Sequence, residues 1–188
     1  MTAPLPSRDD AWALLCEHTE KDGLRKHALA VEAAMREYAR HFGEDEERWG
    51  ITGLLHDFDY ERWPDPADHP YRGVEILERA GYPEDVRTAI LGHASYTGVP
   101  RETPMAKTLF AVDELAGFVV AVALVKPGRS LDEVDVRSVE KKLKDKAFAR
   151  GVHREEVRAG AEELGVDFRD HVERVIAGLR KSSEALGL

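Results

Sequence analysis

Cysteine is nearly absent from the sequence, with Cys16 the single example. A lone thiol closes no internal disulfide and builds no thiolate metal site, so any metal here has to rest on histidines and carboxylates. Long apolar runs are missing as well. The longest, Leu115 to Val125, spans eleven residues including a glycine, against the roughly 20 needed to cross a bilayer, and reads as a buried helix. The stretch Met1-Thr2-Ala3-Pro4-Leu5-Pro6-Ser7-Arg8 has no basic start leading into an apolar core; the expectation is therefore no secretory signal and a cytoplasmic location. Positive charge is in deficit, 27 Lys and Arg against 36 Asp and Glu for a net charge of −9. That balance disfavours a surface tracking nucleic-acid phosphates, while leaving room for a nucleotide in a small pocket. Alternating strand patterns, internal repeats and Ser/Gly linkers are also lacking.

What is present describes a helical protein. With 188 residues, 43% hydrophobic and 34% charged, the chain suits one globular domain able to bury a sizeable core. Apolar residues recur at helical spacing almost throughout, which makes the expected fold class all-α. Ser7 with Asp10 resembles a capping box opening a helix through about His18. A second helix carries the seam Leu24, Ala28, Val31, Met35, Tyr38 and Phe42 and ends at Gly43. A third starts near Glu44 or Asp45, buries Ile51, Leu54, Leu55 and Phe58, and meets the turn Trp63-Pro64-Asp65-Pro66. Pro70 suits a first helical position, with His69 as the cap of a helix ending at Gly81, and Pro83 opens another through about His93. Thr103-Pro104 starts the most apolar helix, through Val125, closed by Lys126-Pro127-Gly128. The loop from Pro127 to Asp135 is the one candidate subdomain boundary. Residues 138–188 read as two or three amphipathic helices punctuated by Gly151 and Gly165, with nothing there that suggests chemistry.

Four positions place a ligand-type side chain where the periodicity expects core. His27 lies between Leu24 and Val31 on the inward side of the second helix. His56-Asp57 follows Leu54-Leu55. His93 lies three residues after Ile90. Asp113 interrupts Leu109-Phe110-Ala111-Val112, where an unpaired carboxylate costs several kcal/mol, about the value for any buried charge, unless a cation or a proton relieves it. Imidazoles and carboxylates together suit Fe, Mn, Co or Zn, one or two ions, with open positions left for substrate.

These residues carry a resemblance. A His, a His-Asp pair and a distant Asp, here His27, His56-Asp57 and Asp113 in Leu24 to Val31, Gly53 to Phe58 and Phe110 to Leu115, resemble the HD superfamily of metal-dependent phosphohydrolases over roughly residues 20–125. The resemblance implies a compact helical HD core with a C-terminal helical extension over about 130–188, and hydrolysis of a small phosphate ester or nucleotide by a water that a divalent metal activates. It further implies that His27, His56, Asp57 and Asp113 hold a first ion, and that Asp57 bridges to a second held with His69 and His93. Many members continue His-Asp with Ile-Gly-Lys; this chain has Phe58-Asp59-Tyr60-Glu61-Arg62, as in small predicted HD hydrolases, and lacks that phosphate-facing lysine. Asp59 then becomes a candidate to orient water or accept a proton beside Asp57, and Arg62 a candidate to face phosphate. Arg72, Tyr96, Arg101 and Lys107 are further candidate substrate contacts, being in or near the segments between the ligands.

Plainer readings apply to the other residues of these types. His18 and His41 lie near helix C-termini and His153 and His171 among charged residues, all four read as structural. Trp49, Trp63 and the Val119 to Val125 run read as core, and Cys16 as a small buried hydrophobe. Two other functional classes remain open from the ligand set: a di-iron oxygenase of the HD type, and a noncatalytic sensor or interaction module. The apolar Leu115 to Val125 helix and the amphipathic tail leave room for a homodimer.

Overall fold

The computed structural model describes residues 5–188; Met1 to Pro4, the first half of the stretch without secretory features, lie outside the described residues. The first helix, α1 (Arg8–His18), starts at the reciprocal cap expected from sequence: Asp10 N–H donates to Ser7 Oγ at 3.1 Å and Ser7 N–H to Asp10 Oδ2 at 3.1 Å. Helix α2 (Asp22–Phe42) ends where Gly43 adopts φ 71°, a left-handed cap that any Cβ would strain. Asp45 caps α3 (Glu46–Leu55) by accepting from Arg48 N–H. After a turn-rich segment come α4 (Tyr71–Arg79), α5 (Glu84–His93) and α6 (Pro104–Leu124), the last opened by Thr103 with Pro104 in its first turn. The chain closes with α7 (Val136–Lys144), α8 (Arg154–Leu164), α9 (Phe168–Arg180) and α10 (Ser183–Leu186). No strand occurs among the described residues, so the fold is all-α.

The two 21-residue helices α2 and α6 pack against each other at the centre. Helix α3 covers α2, α5 and α8 flank α6, and α9 lies against both central helices. Three glycines let backbones approach closely. A Cβ on Gly53 would stand 3.0 Å from Val31 O, one on Gly178 3.0 Å from Ala33 O, and one on Gly160 2.6 Å from Ala111 Cα. The core runs through Val31, Met35, Tyr38, Leu54, Leu55, Ile90, Leu109, Val112, Leu115, Phe118 and Val119, all essentially inaccessible.

The structure differs from several of these expectations. Pro70 precedes the first helical residue instead of occupying it, and His69 is buried at 4% exposure, because its ring is held by carboxylates and not by the helix end. The chain beyond residue 135 forms four helices among the described residues. A reciprocal Asp135–Ser138 cap starts α7 earlier than the periodicity suggested, and α10 is a single turn too short to show a period. The Val119 to Val125 run is not all core: Leu124 and Val125 are 43% and 56% exposed. Trp63 and Cys16 are half-buried. His171 sits among charged residues in sequence but is fully buried in space, accepting from Tyr38 Oη at 2.5 Å and donating from Nε2 to Ala111 O at 2.9 Å.

Candidate metal centre

Helices α2 and α6, the ends of α3 and α5, and the turn before α4 deliver six side chains to one cavity. His27 faces Asp113 across the α2–α6 packing, Nε2 to Oδ1 at 3.0 Å. His56 and Asp57 follow immediately where α3 ends, so their side chains splay apart and still meet. Asp57 divides its two oxygens: Oδ2 lies 3.4 Å from His56 Nε2 and 4.0 Å from His27 Nε2, while Oδ1 lies 3.2 Å from His69 Nε2 and 3.1 Å from His93 Nε2. Ligand-type atoms of His27, His56 and Asp57 all fall within 4.8 Å of one another, as do those of Asp57, His69 and His93, and those of His56, His93 and Asp113.

Three rings are oriented from behind. Nδ1 of His56 is 2.8 Å from Gly53 O, Nδ1 of His93 is 2.5 Å from Ile90 O, and Nδ1 of His69 is 2.8 Å from Asp59 Oδ1. A ring that donates from Nδ1 keeps a lone pair on Nε2 in its neutral form, which is the arrangement that hydrogen-bond acceptors behind the ring impose on metal-binding histidines. One atom registers the consequence. His56 Nε2 is fully buried, 3.3 Å from Asp113 Oδ1 and 3.4 Å from Asp57 Oδ2, and makes no hydrogen bond of acceptable geometry to either. A buried polar atom left this way is costly unless something binds it. The donor set therefore fits a divalent ion.

The electrostatics point the same way. Burial alone would lower the His56 imidazole, but the Asp57 and Asp113 carboxylates outweigh it and hold the ring well above its ordinary value. Burial would likewise lower His69, but hydrogen bonds to Asp57 and Asp59 outweigh it and raise the ring to about 9. Asp57 and Asp113 are pulled well below the usual carboxylate range, against burial, chiefly by His56, with further hydrogen bonds from His69 and His93 to Asp57 and from His27 to Asp113. Protons on the imidazoles thus compensate the carboxylates wherever no cation does, and a metal competes with them.

The cavity measures about 660 Å³, within the range of small-molecule sites. Its lining includes His27, Asp57, His69, His93 and Asp113, together with Tyr60, Ser95, Tyr96, Glu114, Gly117, Val152, His153 and Glu156. The sequence-based candidates beyond the His/Asp set divide sharply. Tyr96 lines the cavity, its hydroxyl donating to His69 O at 2.9 Å. Arg62 instead donates to Glu17 O, and Arg72 pairs with Asp68 at 3.0 Å. Arg101 is locked by a two-pronged pair to Glu163, the Gly92 carbonyl and the face of Phe110. Lys107 is half-buried on α6, and none of these four cations is in the lining. Asp59 is 1% exposed: Oδ1 holds His69 and Oδ2 accepts Gly73 N–H at 2.8 Å, so it faces away from the cavity and positions a histidine rather than touching water.

Helix α8 brings residues that sequence reading passed over. His153, read as structural, and Glu156 form part of the cavity wall because Gly160 lets α8 lie directly on α6. Nothing in their local sequence marks them, since only that packing carries them to the site. Glu114 had a signal, a second charge beside Asp113 in the most apolar helix. Burial, then the neighbouring Asp113, raises its carboxyl above the ordinary value, while its Oε2 accepts His153 N–H at 3.2 Å.

The family model of the HD domain matches residues 24–117, half of the chain. The chain belongs to the HD domain family. That family is largely one of metal-dependent hydrolases, and the matched span contains all six of the converging residues as well as Asp59. No curated protein matches the chain. No helix among the described residues is long and apolar enough to cross a membrane.

Proposed function

We propose that this HD-domain protein is a metal-dependent phosphohydrolase acting on a small phosphate ester. The observation that carries the reading is Asp57, whose two oxygens address separate histidine sets at the floor of an open cavity. His27, His56, Asp57 and Asp113 would hold one ion, and Asp57, His69 and His93 a second, drawn from Fe, Mn, Co or Zn. Bound there, divalent ions supply positive charge for phosphoryl oxygens and lower the pKa of water. The chain supplies placement. Carbonyls of Gly53 and Ile90 and the Asp59 carboxylate keep Nε2 of three histidines turned toward Asp57, and burial of those three rings keeps bulk water from competing for their Nδ1 contacts. With no phosphate-facing lysine in the lining, phosphoryl binding falls to the metal centre itself.

Elemental analysis of protein purified without a metal-affinity tag, beside phosphate release from a panel of phosphate esters and nucleotides, tests the reading. We expect close to two ions per chain, lost along with phosphate release in Asp57→Ala. Absence of metal after reconstitution with Mn, Fe, Co and Zn would overturn it. So would oxygen consumption by the iron form without phosphate release, which would install the oxygenase reading instead.

A further inference from the structure

The cavity has a floor that takes charge and a wall that carries the opposite sign from what polyphosphate needs. Its floor is a ligand site on independent grounds, since His56 Nε2 is buried and unpartnered there. Once a phosphoryl group occupies that floor, the rest of a substrate lies against Tyr60, Tyr96, Glu114 and Glu156. Tyr60 and Tyr96 are 41% and 53% exposed, large for aromatic rings, and the Tyr96 hydroxyl is already committed to the His69 carbonyl, so this residue offers mainly its ring. Glu156 is held only by a long contact from Ser95 Oγ, 3.4 Å. Acid is expected in the first turn of a helix, yet its neighbour Glu155 is 81% exposed while Glu156 turns into the wall.

Lysine and arginine are absent from this lining among the described residues, and its one further ionisable base, His153, is 65% exposed beside Glu155 at 3.9 Å. Phosphates beyond the first would meet carboxylates with no cation to offset the repulsion. Aromatic faces combined with carboxylates are instead the chemistry that recognises an ammonium group.

We infer that the Glu156 and Glu114 carboxylates with the Tyr60 and Tyr96 rings select a phosphomonoester whose leaving group carries a positively charged amino group. The inference rests on the phosphoester reading of the floor and concerns the wall. Titration calorimetry of the Mn- or Zn-loaded protein with O-phosphoethanolamine, 2-hydroxyethyl phosphate and 2-phosphoglycolate tests it, because the three differ mainly in presenting an ammonium, a hydroxyl or a carboxylate. Affinity should fall in that order, by about tenfold at the first step. Glu156→Gln, near-isosteric and partly exposed, should narrow that first step to about threefold with metal content and melting temperature unchanged. Equal affinities, tighter binding of 2-phosphoglycolate, binding of none of the three, or an ammonium preference that stays near tenfold in Glu156→Gln would each overturn the inference. Phosphate release recorded alongside separates the two readings. Ammonium-selective binding without release removes the hydrolase and keeps the wall; release without selectivity does the reverse.

Discussion

Asp59 shows how one residue type can be legible while its task is not. Its place two residues after Asp57 suggested water chemistry, but both of its oxygens are spent on His69 and Gly73. Asp59→Asn keeps the shape and loses the charge behind the ring. Metal affinity should fall about 10–100-fold, the usual effect of losing such a partner, in a competition with a chromophoric chelator; unchanged affinity would mean that Asp59 only packs. Gly73→Ala reaches the same pair differently, since its Cβ would stand 2.8 Å from the Asp59 carboxyl carbon. His171 behaves in the opposite way. Burial, which outweighs the Ala111 carbonyl, lowers it to about 4, so the unfolded chain binds the proton more readily between about 4 and 6.5. Stability is then complete above about 6.5 and falls as the pH drops through about 4, by roughly 3 kcal/mol from this group. Denaturant titrations across that interval should show the loss in the wild type and a shallower slope in His171→Gln.

Helix α8 builds part of the cavity wall beyond the His/Asp cluster, a role that no local sequence signal announced. It docks through Gly160 against Ala111, where a Cβ finds backbone at 2.6 Å. Gly160→Ala gains about 1 kcal/mol of helix propensity, but forcing the helices apart costs about 1–3 kcal/mol. We expect a net loss of stability by chemical denaturation, with weaker ligand binding at the α8 wall; a stabilised variant would show that α8 yields freely. Preceding α8, the 145–152 segment is gathered by Arg154, which donates to the carbonyls of Leu143, Asp145 and Phe148 at 3.1, 2.9 and 2.5 Å and lies over the Phe118 ring. Arg154→Met should abolish hydrogen-exchange protection across 145–152 while leaving α2 and α6 protected, because these bonds are local to the segment. Element boundaries were readable at the caps Ser7, Gly43, Asp45 and Thr103, though not at Asp135. The start of α4 was not, because His69 answers to Asp57 and Asp59, partners outside its own turn.

For the whole molecule, metal and proton are rival occupants of the same floor. His69, raised to about 9 by its carboxylate partners, contributes stability to the metal-free protein below about 6.5 that disappears as the pH rises through about 9. Ions bind the deprotonated rings, so their stabilisation runs the other way. The rise in melting temperature on loading with Zn or Mn should therefore grow from pH 6.5 to pH 9, reaching the equivalent of about 2.7 kcal/mol at a free metal concentration near 100 times Kd. Calorimetry of loaded and metal-free protein at several pH values checks this, and a pH-independent increment would mean that the His/Asp cluster does not hold the ion.

The helical class and the identity of the His/Asp set were determined by the sequence alone. Periodicity places apolar faces locally, and a ligand side chain at a core position, such as His27 or Asp113, is an anomaly visible without coordinates. Tertiary structure decided which of the remaining polar residues belong to the site. Arg62, Arg72 and Arg101 had the right chemistry and proximity in the chain, but each finds a nearer partner in Glu17, Asp68 or Glu163. Glu156 and His153, 40 or more residues beyond Asp113, arrive only because α8 lies on α6. A long side chain goes to whatever polar partner the packed fold puts within reach, and for Arg62 and Arg101 that partner comes from a distant segment rather than from the same one.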